Sequence, residues 1–348
     1  MTFLFVLFCI TFSLMLFPVL LGYYSRKAQR QEPLLIKSDN VKDPRYFSKS
    51  FRRMVETSLK DHPGEETLHL SKDERLLFAD QQTFTPDCQV DSIVLAMNAP
   101  LDAPAGCKFS KEIYAAYDVR IGADAQIRAL AGLNDVTLAS GVQFLRWVDA
   151  ESALDIGPSC HLGISASAGK RLRISKSCSF QRLYAPEIVI GENTGAAVGS
   201  PAETMQKRGE ASSKLIRMDR VPSSETITGS VIADDSLVLD ENCVIHGSVH
   251  AGKRLHIRRG AYISGNVISD GDILIEENVS IEGDVFAQGC ILVGYQCRIG
   301  SEGRIKSIVA RKHVSLTEES IIFGYVGTEA RGSIIDKDEF YKAMGSMF

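Results

Sequence analysis

Ile227-Thr228-Gly229-Ser230-Val231 recurs as Ile245-His246-Gly247-Ser248-Val249, Ile263-Ser264-Gly265-Asn266-Val267 and Ile281-Glu282-Gly283-Asp284-Val285, each copy 18 residues after the last. A strict short repeat predicts a solenoid, because one unit cannot bury its apolar face alone and must stack on its neighbours. Within the unit the apolar residues fall in pairs separated by two: Val231/Ala233, Leu237/Leu239, Cys243/Ile245, then Val249/Ala251. Residues i and i+2 share one face of a strand, so each pair is a short strand with two inward side chains. Three such strands close one triangular coil. The Gly, Asn and Asp residues between pairs suit corners, where positive φ is common. A helical reading fails, since spacings of three and four are not sustained.

The same lattice extends backwards along the chain. Val142/Phe144, Cys160/Leu162 and Cys178/Phe180 lie one coil apart, as do Val136/Leu138, Leu154/Ile156 and Leu172/Ile174. Cys107/Phe109 and Ala125/Ile127 fit with a one-residue deletion before Val136, and Cys88/Val90 reads as the first turn. The predicted fold is therefore all-β: a triangular β-helix, or β-solenoid, with 18-residue coils in two stacked or consecutive halves. These halves are residues 86–191 and 219–335, divided by a Gly-, Ala- and Ser-rich loop at 192–218. About six turns in each half, at a strand spacing of about 4.8 Å, give a rod roughly 50–60 Å long. Ile227, Val231, Ile245, Val249, Ile263, Val267, Ile281 and Val285 are the expected core, and Gly229, Gly247, Gly265 and Gly283 the expected turn glycines. Outward charges should stack acid over base over acid, as Asp240-Glu241, Arg258-Arg259 and Glu276-Glu277.

Ahead of the lattice, Thr2 to Tyr24 carries no charge. Phe3, Leu4, Phe5, Leu14, Leu16 and Leu20 typify a stretch long enough to cross a bilayer. The basic Arg26, Lys27 and Arg30 follow it. By the positive-inside rule this predicts one transmembrane helix at 1–24, N-terminus out, with the solenoid in the cytoplasm beneath the inner membrane of a bacterium. A secretory signal is the weaker reading, lacking a basic start and an A-x-A-like site. Residues 25–85 read as a polar linker containing a helix at 44–60. Phe47, Phe51, Met54, Val55 and Leu59 give that helix an apolar side, ringed by Arg45, Lys49, Arg52, Arg53 and Lys60. It would lie on an anionic membrane surface or cap the first coil. The tail 336–348, with Phe340, Tyr341, Met344, Met347 and Phe348, would cap the last coil or serve self-association. An uncapped coil presents unpaired strand edges, a template for homo-oligomers or filaments.

Chemistry is harder to find. A net charge of −4 gives no reason to expect nucleic acid, and no Gly loop of phosphate-binding pattern points to a nucleotide. His246, His250 and His256 fall on outward or corner positions with no histidine one coil away, and no Ser/His/Asp set or C-x-x-C is present. Neither catalysis, a metal nor a cofactor is expected. Cys107, Cys160, Cys178, Cys243 and Cys297 fall on inward positions, where free cysteine behaves as a small hydrophobe.

The I-x-G-[SND]-V coils of residues 227–335 resemble the bactofilins, bacterial polymer-forming cytoskeletal proteins. That resemblance implies a right-handed triangular β-helix, assembled end to end into non-polar filaments without nucleotide, and a non-catalytic membrane scaffold that positions cell-envelope or cell-shape proteins. The chain departs from the pattern in its membrane-spanning segment, its second solenoid, and five extra residues around Ile299 to Gly303 before Ile322-Phe323-Gly324-Tyr325-Val326 resumes the motif. The added half would cap one end. The rival is a hexapeptide-repeat acyltransferase, whose left-handed β-helix also uses 18-residue coils but favours small residues where Val231, Val249, Val267 and Val285 stand, and needs a catalytic histidine. An exported adhesin-like β-helix follows if the apolar segment is a secretory signal.

Overall fold

Val231, Val249, Val267 and Val285 stand one above another on parallel strands in the computed structural model, which describes residues 43–61, 76–81, 83–191 and 214–347. Leu237, Leu255, Ile273 and Ile291 form a second column, and Ile227, Ile245, Ile263, Ile281 and Ile299 a third. All of these side chains are buried. The N-terminal half repeats the plan, with Val136–Leu154–Leu172 and Val148–Ala166 in register and Gln143, His161 and Ser179 bridged in parallel. Together the coils make a β-solenoid of about 13 turns.

The coils begin earlier than the alternation suggests in both halves. Leu76–Phe78 already pairs with Ile93–Leu95, so the strands start inside the expected linker. Leu215–Arg217 pairs with Ser230–Ile232, inside the expected loop. A three-residue strand at a solenoid end has a neighbour on one side only, and its apolar period is too short to register. The five-residue insertion folds out as a loop over residues 300–305, bridged between Ser301 and Arg304. Pairing then resumes 23 residues on, Ile299 against Ile322.

The motif glycines do a different job from the expected one. Only Gly229 has a positive φ, at 135°. At Gly247, Gly265 and Gly283 a Cβ would come within 2.1–2.4 Å of the carbonyl oxygen of the glycine one coil away. They are glycines because stacked corners approach too closely for any side chain. The left-handed corner is elsewhere. Ser224, Asn242, Gly260, Asn278, Gln296 and Glu319 all have φ between 53° and 71°, one per coil. The charge ladder forms: Arg258 reaches Asp240 at 3.1 Å and Arg259 reaches Glu241 at 3.1 Å, while the Arg259 amide donates to Glu276.

The two halves meet through their last coils. Ser179–Ile190 and Ile321–Ile335 run antiparallel, with Leu183 opposite Val326, Tyr184 opposite Tyr325 and Ile188 opposite Ile322. Every other coil-to-coil strand pairing among the described residues is parallel. Backbone bonds close the seam, from Ile190 N to Ser320 O at 3.0 Å and from Ile334 N to Cys178 O at 2.9 Å. Gly332 is required there, since a Cβ would lie 2.2 Å from the Phe180 ring. The halves therefore form one rod in which the second solenoid is reversed, with a first coil at each outer end among the described residues.

Two helices dress the flanks. Helix α1, Tyr46–Asp61, packs Phe51, Val55 and Leu59 on outward-facing Leu76, Ile93, Leu95, Tyr114, Ala131 and Trp147. Of its expected apolar side, Phe51, Val55 and Leu59 are spent on the flank of the rod, whereas Phe47 and Met54 stay exposed. Helix α2, Lys337–Met347, buries Phe340 against Leu274, Leu292 and Tyr295. The tail cannot cap the last coil, because the other half already covers that edge. Met344 and Met347 pack in the same cluster, whereas Phe348 lies outside the described residues.

Candidate interaction surfaces

Helix α1 is held by a buried ion cluster. Asp149, 1% exposed, accepts from Arg45 Nε at 2.7 Å, Arg45 Nη2 at 2.9 Å, Ser48 Oγ at 2.7 Å and Ser167 Oγ at 2.6 Å. Arg52 adds a contact to the same carboxylate and donates to the Gly132 carbonyl at 2.9 Å. Glu151 takes the outer side of both guanidiniums. Burial works against the charge on Arg45, but its hydrogen bonds to Asp149 and Glu151 outweigh it and hold its pKa above the usual value. Burial likewise opposes ionisation of Glu151, and its bonds to Arg45 and Arg52 reverse the balance and hold that carboxyl below its usual range. The cluster is missed by sequence reasoning because its partners lie about a hundred residues apart. The available signal was Asp149, an acid set directly between the apolar Val148 and Ala150 at the buried end of its strand.

The free ends of the rod differ. At the N-terminal half's end, Phe84 stacks edge-on against Phe109 with ring centroids 5.5 Å apart, and Leu77 and Ala79 also cover the core. At the other end, Leu215–Arg217, Arg220–Val221 and Thr226–Thr228 each pair with one strand among the described residues. There Lys214 O and Met218 N bond to the neighbouring strand, which turns the backbone of Leu215 and Arg217 toward the open edge. Leu215 is 54% exposed.

The remaining polar surface among the described residues carries several hydrogen-bonding side chains. A groove of about 540 Å³ on the N-terminal half is lined by Lys108, Gln126, Arg128, Gln143 and His161. His161 Nδ1 lies 2.6 Å from Ser179 Oγ, and Ser179 is buried. His256 is bound to Glu276 at 2.6 Å, and His250 lies 3.7 Å from Asp270. Among the described residues no cluster of His, Cys, Asp and Glu is arranged to hold a metal ion, and the seven cysteines there are unbridged. Burial pushes the Cys243 thiol up to about 11 and that of Cys297 up to about 12.

Of the residues singled out by sequence, the structure gathers the eight core aliphatics and four motif glycines into the C-terminal half. It separates Phe340, buried, from Tyr341, which is exposed and bonded to Glu277. Phe3, Leu4, Phe5, Leu14, Leu16, Leu20, Arg26, Lys27 and Arg30 lie outside the described residues, and among those described no helix is long and apolar enough to cross a membrane. Comparison with protein-family models, curated proteins and solved structures yields no match to the chain.

Proposed function

We propose that the protein is a membrane-anchored, non-catalytic scaffold of bactofilin-like character, which self-associates through a free first coil and positions cell-envelope or cell-shape proteins along its rod. The observation that carries this reading is the antiparallel seam between Ser179–Ile190 and Ile321–Ile335. One chain already joins two coil edges without a connecting cap, by backbone bonds and an apolar contact of Leu183 with Val326. The strand edge at Leu215–Arg217 offers the same kind of surface to a second copy. Because each outer end among the described residues is a first coil, such a contact is two-fold and gives a non-polar assembly. Anchoring is assigned to the uncharged segment Thr2–Tyr24 with Arg26, Lys27 and Arg30 on its inner side, which puts the rod in the cytoplasm at the inner membrane.

Electron microscopy of the full chain in detergent tests it. Paired rods or filaments are expected, and Arg217→Pro, which removes a backbone donor facing the open edge, should return single rods. Single rods from the unaltered chain at all concentrations would overturn the self-association.

A further inference from the structure

Helix α1 keeps one face bound and leaves the other in an unusual state. Tyr46, Phe47 and Met54 are 61%, 51% and 42% exposed, although the rod offers apolar surface to their neighbours Phe51 and Val55. Beside them run Lys49, Arg53 and Lys60, all exposed, and Glu56 is the single acid in residues 46–60. Aromatic and apolar tips flanked by a basic row are what a helix presents to an interface with anionic lipid. The Arg45 and Arg52 clamp fixes which face points outward, so the exposure is built into the fold.

We propose that this outer face of α1 is seated on an anionic membrane surface, so that the rod lies flat with the α1 flank toward the bilayer. The inference rests on the membrane-anchor reading above and adds an orientation to it. Arg45 is bound at Asp149 and Glu151, and Leu59 packs in the cluster with Leu76, Ile93 and Leu95. The helix therefore runs along the rod across successive coils, and a surface beneath the helix lies parallel to the rod. Residues 25–43, between the apolar segment and the helix, reach at most about 65 Å. The groove at Lys108, Gln126 and Gln143 lies at the other end of the strands that carry Tyr114, Ala131 and Trp147, beyond the register shifts at Phe109/Glu112 and Ile127/Ala129.

Full-length protein reconstituted into vesicles with phosphatidylglycerol, or with phosphatidylcholine alone, tests this with lipids brominated high on the acyl chain. Phe47→Trp adds an indole beside the native Trp147, which is 7% exposed beneath α1. The added emission should be quenched at least twofold more than that of Trp147 in the anionic vesicles. Joint Lys49→Glu, Arg53→Glu and Lys60→Glu, or salt of about 0.5 M, should bring it down to the Trp147 level. Absence of excess quenching in a chain that floats with the vesicles overturns the proposal while leaving the anchor standing. A blue-shifted, unquenched indole means a protein partner covers the face and overturns it too. Quenching equal in neutral vesicles and indifferent to charge removes the anionic requirement and refutes it. A chain that fails to float refutes the anchor and this proposal together.

Discussion

Replacing Asp149 with Asn should free helix α1 while leaving the solenoid folded. The carboxylate is 1% exposed and accepts from Arg45, Arg52, Ser48 and Ser167. An amide of the same shape keeps one acceptor, loses the charge, and turns two donor hydrogens toward two buried guanidiniums. Removing one partner of a buried ion pair costs about 3–5 kcal/mol. Glu151 survives and still meets both arginines, but its side chain is 50% exposed and screened, so the lower figure applies. About 3 kcal/mol is a factor of roughly 10² in the ratio of docked to undocked helix. Hydrogen exchange reads this locally: amides of residues 49–60 should lose about two orders of magnitude in protection, while those of Ile245 and Ile263 are unchanged. Equal protection of α1 in Asp149→Asn and parent would refute the reasoning. A combined Arg45→Met, Arg52→Met, Asp149→Leu chain should recover most of the lost protection, because exchanging a whole buried cluster for apolar side chains is often neutral.

Other perturbations read other parts of the rod. Val267→Asp places a carboxylate at a fully buried position, and a loss of about 4 kcal/mol or more should abolish the cooperative melt of the coils; an unchanged melt would mean that the position faces outward. Gly265→Ala puts a Cβ 2.4 Å from the Gly247 oxygen, and a destabilisation of about 1–3 kcal/mol is expected by thermal unfolding, with no loss if the coils can spread at that corner. Against the opposing effect of burial, bonds to Arg45 and Arg52 hold the Glu151 carboxyl below the usual glutamate value of about 4.3 in the folded chain. Its stabilising contribution is therefore whole above that value and is lost as pH falls through the lower folded pKa. Protection of α1 should hold from pH 7 to 5 and decline below about pH 4.

How much of this was legible in the sequence depends on the range of each interaction. The coil is local and periodic, so Ile245, Val249 and their equivalents one coil on declare their direction by spacing alone. The charged rows at Asp240 and Arg258 follow from the same period. The motif glycines were visible but their reason was not, since crowding between Gly247 and Gly265 exists only once coils stack. The left-handed column was hidden because six different turns fill it with Ser, Asn, Gly, Gln and Glu. The clamp on α1 and the seam were not legible at all. Ser179–Ile190 has the composition of one more coil, and nothing in its period says that its neighbour will arrive reversed, from Ile321–Ile335. Both surfaces that carry the functional proposals thus depend on contacts between residues about a hundred or more positions apart.

The reversed second half has a consequence for synthesis on the ribosome. The N-terminal coils can stack as they emerge, but the edge of Ser179–Ile190 finds its partner only when Ile335 has been made. At 5–20 residues per second, translating from Gly191 to Ile335 takes about 7–30 s. For that interval the nascent chain displays a bare strand edge, and neighbouring chains on one message display the same one. The seam can close only after Ile335 is made, and it is the step at which crowding on polysomes would exchange halves between molecules.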